Sequence, residues 1–250
     1  KNNPLSEYPR PQFERKSFLN LNGIWQCDFC ESEEIPDSFS YDIVVPFSPE
    51  APLSGVNRKL KENEYLIYQK VFDLPDDFNK GRVFINFGAV DQIAKVYING
   101  NFVGVHHGGY TPFSFEISDY FCQHNVLNVV VRDLTEKNEY LRGKQKTNRG
   151  GIWYTAQSGI WQTVWLESTP DEYIKSVRIT PDIDNERVVF EAEDGITVQK
   201  LIYDGDDLIA DTTDNTVVID NPTLWSPDNP FLYKVVFKYK KDTVYSYFGM

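Results

Sequence analysis

The sequence predicts an all-β protein, and three observations support this fold class. Aromatic residues make up 15% of the 250 residues, whereas alanine occurs six times and methionine once. Aromatic and β-branched residues favour strands, and the scarcity of alanine and methionine disfavours long helices. Short apolar runs, several of them alternating apolar and polar residues, are separated by Gly, Pro, Asn and Asp, which is the pattern of strands joined by turns.

The longer, N-terminal part of the chain contains nine predicted strands. They lie at residues 24–29, 41–45, 64–74, 82–87, 94–98, 102–105, 112–117, 126–133 and 162–167. Asn99-Gly100 separates two of them and predicts a tight hairpin, because a type I′ turn needs positive φ at both central residues. The run at 126–133 is apolar almost throughout, as expected for a strand covered on both faces. This series of strands fits a jelly roll or a related two-sheet sandwich.

The rest of the chain has shorter strands and tighter turns. Six runs are predicted at 173–179, 187–192, 196–203, 216–219, 231–239 and 243–248, with a further strand edge at Leu208. About seven short strands in about 80 residues is typical of an immunoglobulin-like sandwich. Residues 171–250 also carry 16 acidic and 8 basic residues, a shift in composition that follows the turn at Ser168-Thr169-Pro170. We therefore predict a jelly-roll domain at 1–169 and an immunoglobulin-like domain at 170–250.

The net charge of −12 argues against nucleic acid or an anionic membrane surface as a partner. Apolar runs fall short of the roughly 18 residues of a membrane span, and the sequence does not open with a signal-peptide pattern. We expect a cytoplasmic protein, or a secreted or periplasmic one if a signal peptide was trimmed. The three cysteines form an odd set, which argues against a disulfide framework.

Metal and cofactor chemistry finds little support in the sequence. Cys27 and Cys30 form a single pair on a predicted strand, where residues three apart face opposite sides, and a structural zinc site needs four ligands. His106 and His107 also face opposite ways. Gly143-Lys144 lacks the remaining residues of a phosphate-binding loop. We predict no metal and no cofactor.

The strand pattern breaks between residues 134 and 157, where a long polar loop begins. Long loops inside compact domains are often functional. We expect Trp161 and Trp165, which follow it, to lie in the core. Trp153 and Tyr154 stand among glycines and polar residues, and the sequence is compatible with either core or exposed rings there. An exposed ring at this position can stack on a sugar while neighbouring Asn148 and Arg149 donate hydrogen bonds. These four residues are the candidate sugar-binding residues.

Several stretches resemble family 2 glycoside hydrolases, the group of β-galactosidases, β-glucuronidases and β-mannosidases. The most specific is GIWYTAQSGIWQTVWLE at 151–167. The other similar stretches are LNGIW at 21–25, VPF at 45–47, FGAVD at 87–91, VYING at 96–100, GGYTPF at 108–113, RGKQ at 142–145 and LWSPDNPFLY at 224–233. They run through nearly the whole chain in the family's order.

The resemblance implies a jelly-roll (galactose-binding-like) domain called sugar-binding, then an immunoglobulin-like sandwich, and then a (β/α)₈ barrel that carries both catalytic glutamates. Such a barrel takes about 250 residues by itself, so it does not fit in this chain beside two sandwiches. The resemblance therefore predicts no catalytic residue here. It implies the non-catalytic N-terminal portion of a retaining β-glycosidase, most similar to β-galactosidases, with a carbohydrate substrate reached through the missing barrel and a possible homo-oligomer. It also implies that the loop stretch 148–154, with Asn148, Arg149, Trp153 and Tyr154, forms part of the rim of the substrate pocket.

Two alternatives stay open at this stage. The chain is also compatible with a stand-alone, lectin-like carbohydrate-binding module without hydrolase activity. It is compatible as well with a purely structural pair of sandwiches. Sugar specificity is not readable from these residues, because the family sets it mainly in the barrel.

Overall fold

The computed structural model describes residues 3–250 and is built almost entirely of strands, which confirms the predicted fold class. In the first part of the chain these are β1 (Phe18–Asn20), β2 (Gly23–Cys30), β3 (Tyr41–Val45), β4 (Tyr65–Asp73), β5 (Arg82–Phe87), β6 (Val90–Asp91), β7 (Ile93–Ile98), β8 (Asn101–His107), β9 (Phe113–Glu116), β10 (His124–Arg132), β11 (Gln145–Lys146), β12 (Tyr154–Thr155), β13 (Gly159–Ile160) and β14 (Val164–Thr169). The second part has β15 (Val177–Asp182), β16 (Arg187–Ala192), β17 (Gln199–Asp204), β18 (Asp207–Thr212), β19 (Thr216–Val218), β20 (Tyr233–Tyr239) and β21 (Asp242–Phe248).

The described residues contain no α-helix. Short 3₁₀ turns occupy Pro11–Phe13, Pro52–Ser54, Ile183–Asn185 and Glu193–Gly195. No helix in this part of the chain has the length and apolar character needed to cross a membrane. The strands divide into two compact units, the first comprising Phe18–Ser168 with the stretch that ends at Pro9, the second Arg10–Ser17 with Thr169–Met250.

The first unit is a sandwich of two main sheets. One sheet has the strand order β1-β14-β5-β9, and the other has the order β3-β2-β4-β10-β7-β8. Two small pairs, β11-β12 and β13-β6, add to the unit. Non-sequential neighbours such as β1 and β14 show that strands distant in the chain close this sandwich.

Apolar residues alternate along the strands and meet between the sheets. In β7 the buried positions are Ala94, Val96 and Ile98, while the intervening side chains are half-exposed. Because strand side chains alternate between faces, this pattern directs one face of β7 into the core. At the centre, Trp25 packs edge-to-face on Tyr68 with ring centroids 6.2 Å apart. Its indole N–H donates to the carbonyl of Leu21 at 2.7 Å, so its burial leaves no polar group unsatisfied.

Two local predictions agree with the structure. Asn99 and Gly100 join β7 to β8 and have φ values of 50° and 79°, the left-handed region that a type I′ turn requires. Strand β10 lies between β4 and β7 inside the larger sheet. Consecutive valines 129–131 in β10 are all buried, as predicted for a strand covered on both faces.

Gly104 marks a close approach between β8 and β9. A Cβ atom at this position would overlap the ring of Phe115. We expect Gly104→Ala to lower the free energy of unfolding by about 1–3 kcal/mol, the usual cost of overpacking. Urea denaturation measures this change, and Gly150→Ala is the control, because no heavy atom lies within 4 Å of a Cβ built there. Equal losses in both variants would contradict the steric argument.

The second unit has its own two sheets, β15-β16-β19 and β18-β17-β20-β21. Its core is aromatic: Phe190 meets Phe237 and Phe248 edge-on at 5.7 and 5.9 Å, and Tyr233 stacks on Phe248 at 5.3 Å. The hydroxyl of Tyr233 accepts a hydrogen bond from the backbone N–H of Thr223 at 2.7 Å. Two packed sheets of short strands are the architecture expected of an immunoglobulin-like sandwich.

Residues 10–17 belong to the second unit although they precede the first unit's main segment. Glu14 and Tyr245 exchange backbone hydrogen bonds of 2.8 and 2.9 Å. The guanidinium of Arg15 donates to both carboxylate oxygens of Asp242, at 3.1 and 2.9 Å, and also to the carbonyl of Ile174. Asp242 in turn accepts the backbone N–H of Ile174 at 2.8 Å. Arg15 and Asp242 are both at most 5% exposed, so this ion pair is buried.

Candidate functional site

The loop at residues 134–157 carries all four candidate substrate-binding residues. It contains a short parallel pair, β11 with β12, and the N–H of Tyr154 donates to the carbonyl of Lys144 at 2.7 Å. Tyr154 is 67% exposed, whereas Trp153 is half-buried. The ammonium of Lys146 lies 5.2 Å from the centre of the Trp153 ring, within cation–π range. Trp153 therefore lies against its own loop, and Tyr154 presents its ring to solvent.

Asn148 and Arg149 are exposed on the same loop. The structure places them in the turn between β11 and β12, a few residues before the aromatic pair. Trp161 and Trp165 follow the loop. Trp165 is buried, as predicted, while Trp161 is half-buried and donates its indole N–H to the carbonyl of Gly109 at 2.8 Å.

The base of the loop rests on a buried carboxyl group, that of Asp91. The Gln145 amide donates to Asp91 Oδ2 and to the hydroxyl of Tyr110, both at 3.2 Å. Its own oxygen accepts the N–H of Gln157 at 2.5 Å. A Cβ at Gly109 would overlap the Asp91 carboxyl, so glycine is needed where the two chains approach. Gln145 thus links the two ends of the loop stretch 145–157 to each other and to Asp91 of the sandwich.

A second carboxyl group, that of the half-buried Glu50, holds the chain just after the loop. Its two oxygens accept the N–H and the hydroxyl of Ser158, at 3.0 and 2.9 Å. The next residues form β13, which pairs with β6 so that Gly159 lies opposite Asp91. A side chain at Gly159 would overlap the hydroxyl of Tyr68, which accepts the N–H of Ile160 at 3.2 Å. The end of the loop is therefore tied to the core.

Burial changes the acidity of the carboxyl groups below the loop. Desolvation, reinforced by the charge of Asp133, raises the pKa of Asp91 from 3.8 to about 7. Burial also raises the pKa values of Glu50 and Asp133. Within the described residues, Asp91 Oδ1 is buried without a hydrogen-bond partner. A neutral Asp91 is the form that this environment favours below pH 7.

None of these three carboxyl residues was among the candidates predicted from the sequence. Asp91 directly follows the apolar run at 87–90, and Asp133 follows Arg132 at the end of a valine-rich strand, so an acidic residue at the end of a buried strand was a signal present in the sequence. Glu50 lies in a Pro-rich turn and carries no such signal. Their convergence depends on pairings between distant segments.

His106, His107 and Glu64 are held by contacts with other residues of the first unit. His106 stacks on Phe113 at 4.2 Å and shares a hydrogen bond with Thr111, while His107 bonds the Tyr140 hydroxyl at 2.8 Å. The carboxylate of Glu64 forms an ion pair with the guanidinium of Arg58 at 2.7 Å. Across residues 3–250 no group of three or more His, Cys, Asp or Glu side chains is placed to hold a metal ion.

The fold and the loop define a class: a tandem β-sandwich protein whose first sandwich presents an aromatic loop above buried carboxyl groups. Family comparison then identifies it. Residues 18–170 match the model of the glycosyl hydrolases family 2 sugar binding domain, and residues 184–250 match a second model of glycosyl hydrolases family 2. The chain belongs to glycosyl hydrolase family 2.

Individual relatives agree with the family. A β-galactosidase of Thermoanaerobacter pseudethanolicus is 28% identical over 89% of this chain and 33% of its own length. A β-glucuronidase of Streptococcus agalactiae is 25% identical over 87% of the chain and 40% of its own. The solved structure of a β-glucuronidase from an uncultured Clostridium sp. has a TM-score of 0.75 at 23% identity, covering 99% of this chain and 46% of that one. The chain thus spans a third to about half the length of these relatives.

Proposed function

We propose that this chain is the non-catalytic sandwich pair of a retaining β-glycosidase of the β-galactosidase type. In this proposal a separate catalytic domain supplies the two carboxylates that a retaining mechanism needs. The β-galactosidase relative that matches 89% of the chain supports this substrate class. The two matches at 18–170 and 184–250, in that order, support the role of an accessory pair.

Within that protein, the jelly roll forms part of the rim of the substrate pocket through Asn148, Arg149, Trp153 and Tyr154. The observation that carries this proposal is the 67% exposed ring of Tyr154 on a loop whose base is fixed to Asp91 and Glu50. An exposed aromatic face on a rigid support suits a sugar ring, which has an apolar face and polar edges. The exposed amide and guanidinium of Asn148 and Arg149 supply hydrogen-bond donors to hydroxyl groups.

A catalytic assay tests whether hydrolysis requires a catalytic domain in addition to this chain. We expect the purified 250-residue chain to leave nitrophenyl β-galactoside, β-glucuronide and β-mannoside unhydrolysed. A protein that joins this chain to a family 2 catalytic domain should hydrolyse the β-galactoside preferentially and with retention of configuration. Turnover by the 250-residue chain near the rate of the longer protein would overturn the proposal.

Removing the rim aromatics tests their role in that longer protein. We expect Tyr154→Ala to reduce kcat/KM by about tenfold, equivalent to about 1.4 kcal/mol of transition-state stabilisation, and Trp153→Ala to act in the same direction. The control is Tyr120→Ala, which removes a 39% exposed ring of the same unit on a distant turn. Unchanged kcat/KM in both rim variants would contradict the proposal that the loop forms part of the substrate pocket.

The lectin-like alternative is favoured by one observation: Lys146 and Trp153 already form an ordered pair within the chain itself. Calorimetry of the chain with β-linked disaccharides distinguishes the two functions. Millimolar binding that Trp153→Ala abolishes would support a binding module. Absence of heat at millimolar sugar would favour the accessory role.

A further inference from the structure

We propose that Gln145 is a positioning residue, which holds the exposed ring of Tyr154 in place for a sugar. The two residues lie opposite each other in the parallel pair β11–β12. Gln145 is half-buried at the base of the loop, whereas Tyr154 is 67% exposed. The contact between Tyr154 and a sugar rests on the proposed function, whereas the role of Gln145 comes from the hydrogen bonds around its side chain.

The side chain of Gln145 joins three separate segments of the first unit. Its amide nitrogen donates to Asp91 in β6 and to the hydroxyl of Tyr110 between β8 and β9, and its amide oxygen accepts the backbone N–H of Gln157. Three of its four hydrogen-bonding positions are therefore used. A carboxylate in its place would have no hydrogen to donate, and an ammonium group would have no acceptor.

The backbone beside Gln145 holds the aromatic segment at the same point. The N–H of Tyr154 donates to the carbonyl of Lys144 at 2.7 Å. Gln157, whose N–H is bound by Gln145, also accepts a hydrogen bond from the hydroxyl of Ser48 through its own amide oxygen. Loss of the Gln145 side chain therefore loosens both the short strand that carries Tyr154 and the segment that follows it.

The anchor of Gln145 is a carboxyl group with a single hydrogen-bond partner. Asp91 is 4% exposed, and among residues 3–250 the amide of Gln145 is the one donor to its carboxyl group, since Oδ1 has no partner. The charges that act on Asp91 are those of two further carboxyl groups, Asp133 and Glu50. This environment needs a donor at position 145 and disfavours another carboxylate there.

Amide hydrogen exchange of the 250-residue chain tests the positioning directly. The amide of Tyr154 is the reporter, because it bonds Lys144 beside the β11–β12 pair. We expect Gln145→Met, which keeps the side-chain length without the donors or the acceptor, to reduce the protection of this amide at least tenfold. The matched control is Gln123→Met, which removes another amide of the first unit, a donor to the carbonyl of Leu74, and should leave the Tyr154 amide unchanged.

The variant Gln145→Glu adds a pH readout that a simple loss of packing does not give. The introduced carboxyl group accepts the N–H of Gln157, but it shares a hydrogen bond with Asp91 only while one of the two acids holds a proton. Burial raises the pKa of Asp91 to about 7, so this proton is present at pH 5. We expect protection of the Tyr154 amide to equal that of the parent at pH 5 and to be at least tenfold lower than the parent's at pH 8.

A double-variant cycle in the longer protein of the proposed function shows whether Gln145 acts through Tyr154. Gln145→Met should raise KM at least fivefold and leave kcat within twofold, because it weakens binding equally in the ground state and the transition state. In the Tyr154→Ala background the same change should alter kcat/KM less than twofold, because the ring that Gln145 positions is gone.

Full additivity in this cycle would overturn the inference. So would unchanged protection of the Tyr154 amide in Gln145→Met, or a loss in Gln145→Glu that is the same at pH 5 and pH 8. Unchanged exchange in β10 shows that the variants keep the sandwich. If Tyr154→Ala alone leaves kcat/KM unchanged, the proposed rim is wrong, and the exchange measurements still decide whether Gln145 positions Tyr154, so the two proposals fail separately.

Discussion

Replacing Arg15 with methionine should lower the free energy of unfolding of the second unit by about 3–5 kcal/mol, the typical cost of removing one member of a buried ion pair. The variant leaves the carboxylate of Asp242, which is 3% exposed, without its bidentate partner. The carbonyl of Ile174 loses a donor at the same time. Amide hydrogen exchange in β20 and β21 reports this unit specifically, because Asp242 begins β21.

Two further variants separate charge from packing. In Arg15→Met/Asp242→Asn, part of the stability should return, since the neutral amide can still accept the N–H of Ile174 and no charge is left buried. Lys240→Met removes an exposed ion pair with Glu172 and should leave exchange rates unchanged. Equal effects of Arg15→Met and Lys240→Met would show that burial of the pair is unimportant.

Asp91→Asn should stabilise the first unit at alkaline pH and leave it nearly unchanged in acid. The pKa of Asp91 is about 7 in the folded chain and 3.8 in the unfolded reference, so the folded state binds the proton more tightly. The contribution of this group to the free energy of unfolding therefore falls as pH rises from about 4 to about 7, and it stays low above that. A difference of about three pKa units corresponds to at most about 4 kcal/mol.

Urea denaturation at pH 4.5 and pH 8 measures the effect. We expect the asparagine variant to gain about 2–4 kcal/mol over the parent at pH 8 and little at pH 4.5, because its amide does not titrate. Asp119→Asn, a change at an exposed acidic residue of the same unit, is the control. Parallel pH profiles for the parent and Asp91→Asn would refute the assignment. Glu50 and Asp133, whose pKa values are also raised, should preserve some pH dependence in the variant.

Features with a local cause were predictable from the sequence. The Asn99-Gly100 hairpin was predictable because asparagine and glycine readily adopt the positive φ values that the structure shows there. The burial of β10 was predictable from its many apolar residues. The irregular loop and its aromatic pair were also recognisable from composition. The order of the two sandwiches was predicted from the number and length of the strand runs together with the shift in composition, and the resemblance to family 2 implied the same order.

Features that depend on distant pairings were not predictable. The ammonium of Lys146 in β11 lies 5.2 Å from the ring centre of Trp153, which directly precedes β12, and alternation within one segment does not report a contact that forms beside such a parallel pairing. Asp91 meets the end of the loop only because β6 pairs with β13. Arg15 and Asp242 are 227 positions apart. To predict each of these contacts, one must know which segments pair and in which register, and this cannot be read directly from a single sequence.

The path of the chain through residues 10–17 bears on how these sandwiches recombine. The second unit is encoded in two pieces, Arg10–Ser17 and Thr169–Met250, with nearly the whole of the first unit inserted between them. A graft that transfers only the C-terminal piece leaves behind the arginine that neutralises Asp242. We therefore expect a transplanted second unit to keep its stability only when residues 10–17 are transferred together with residues 169–250.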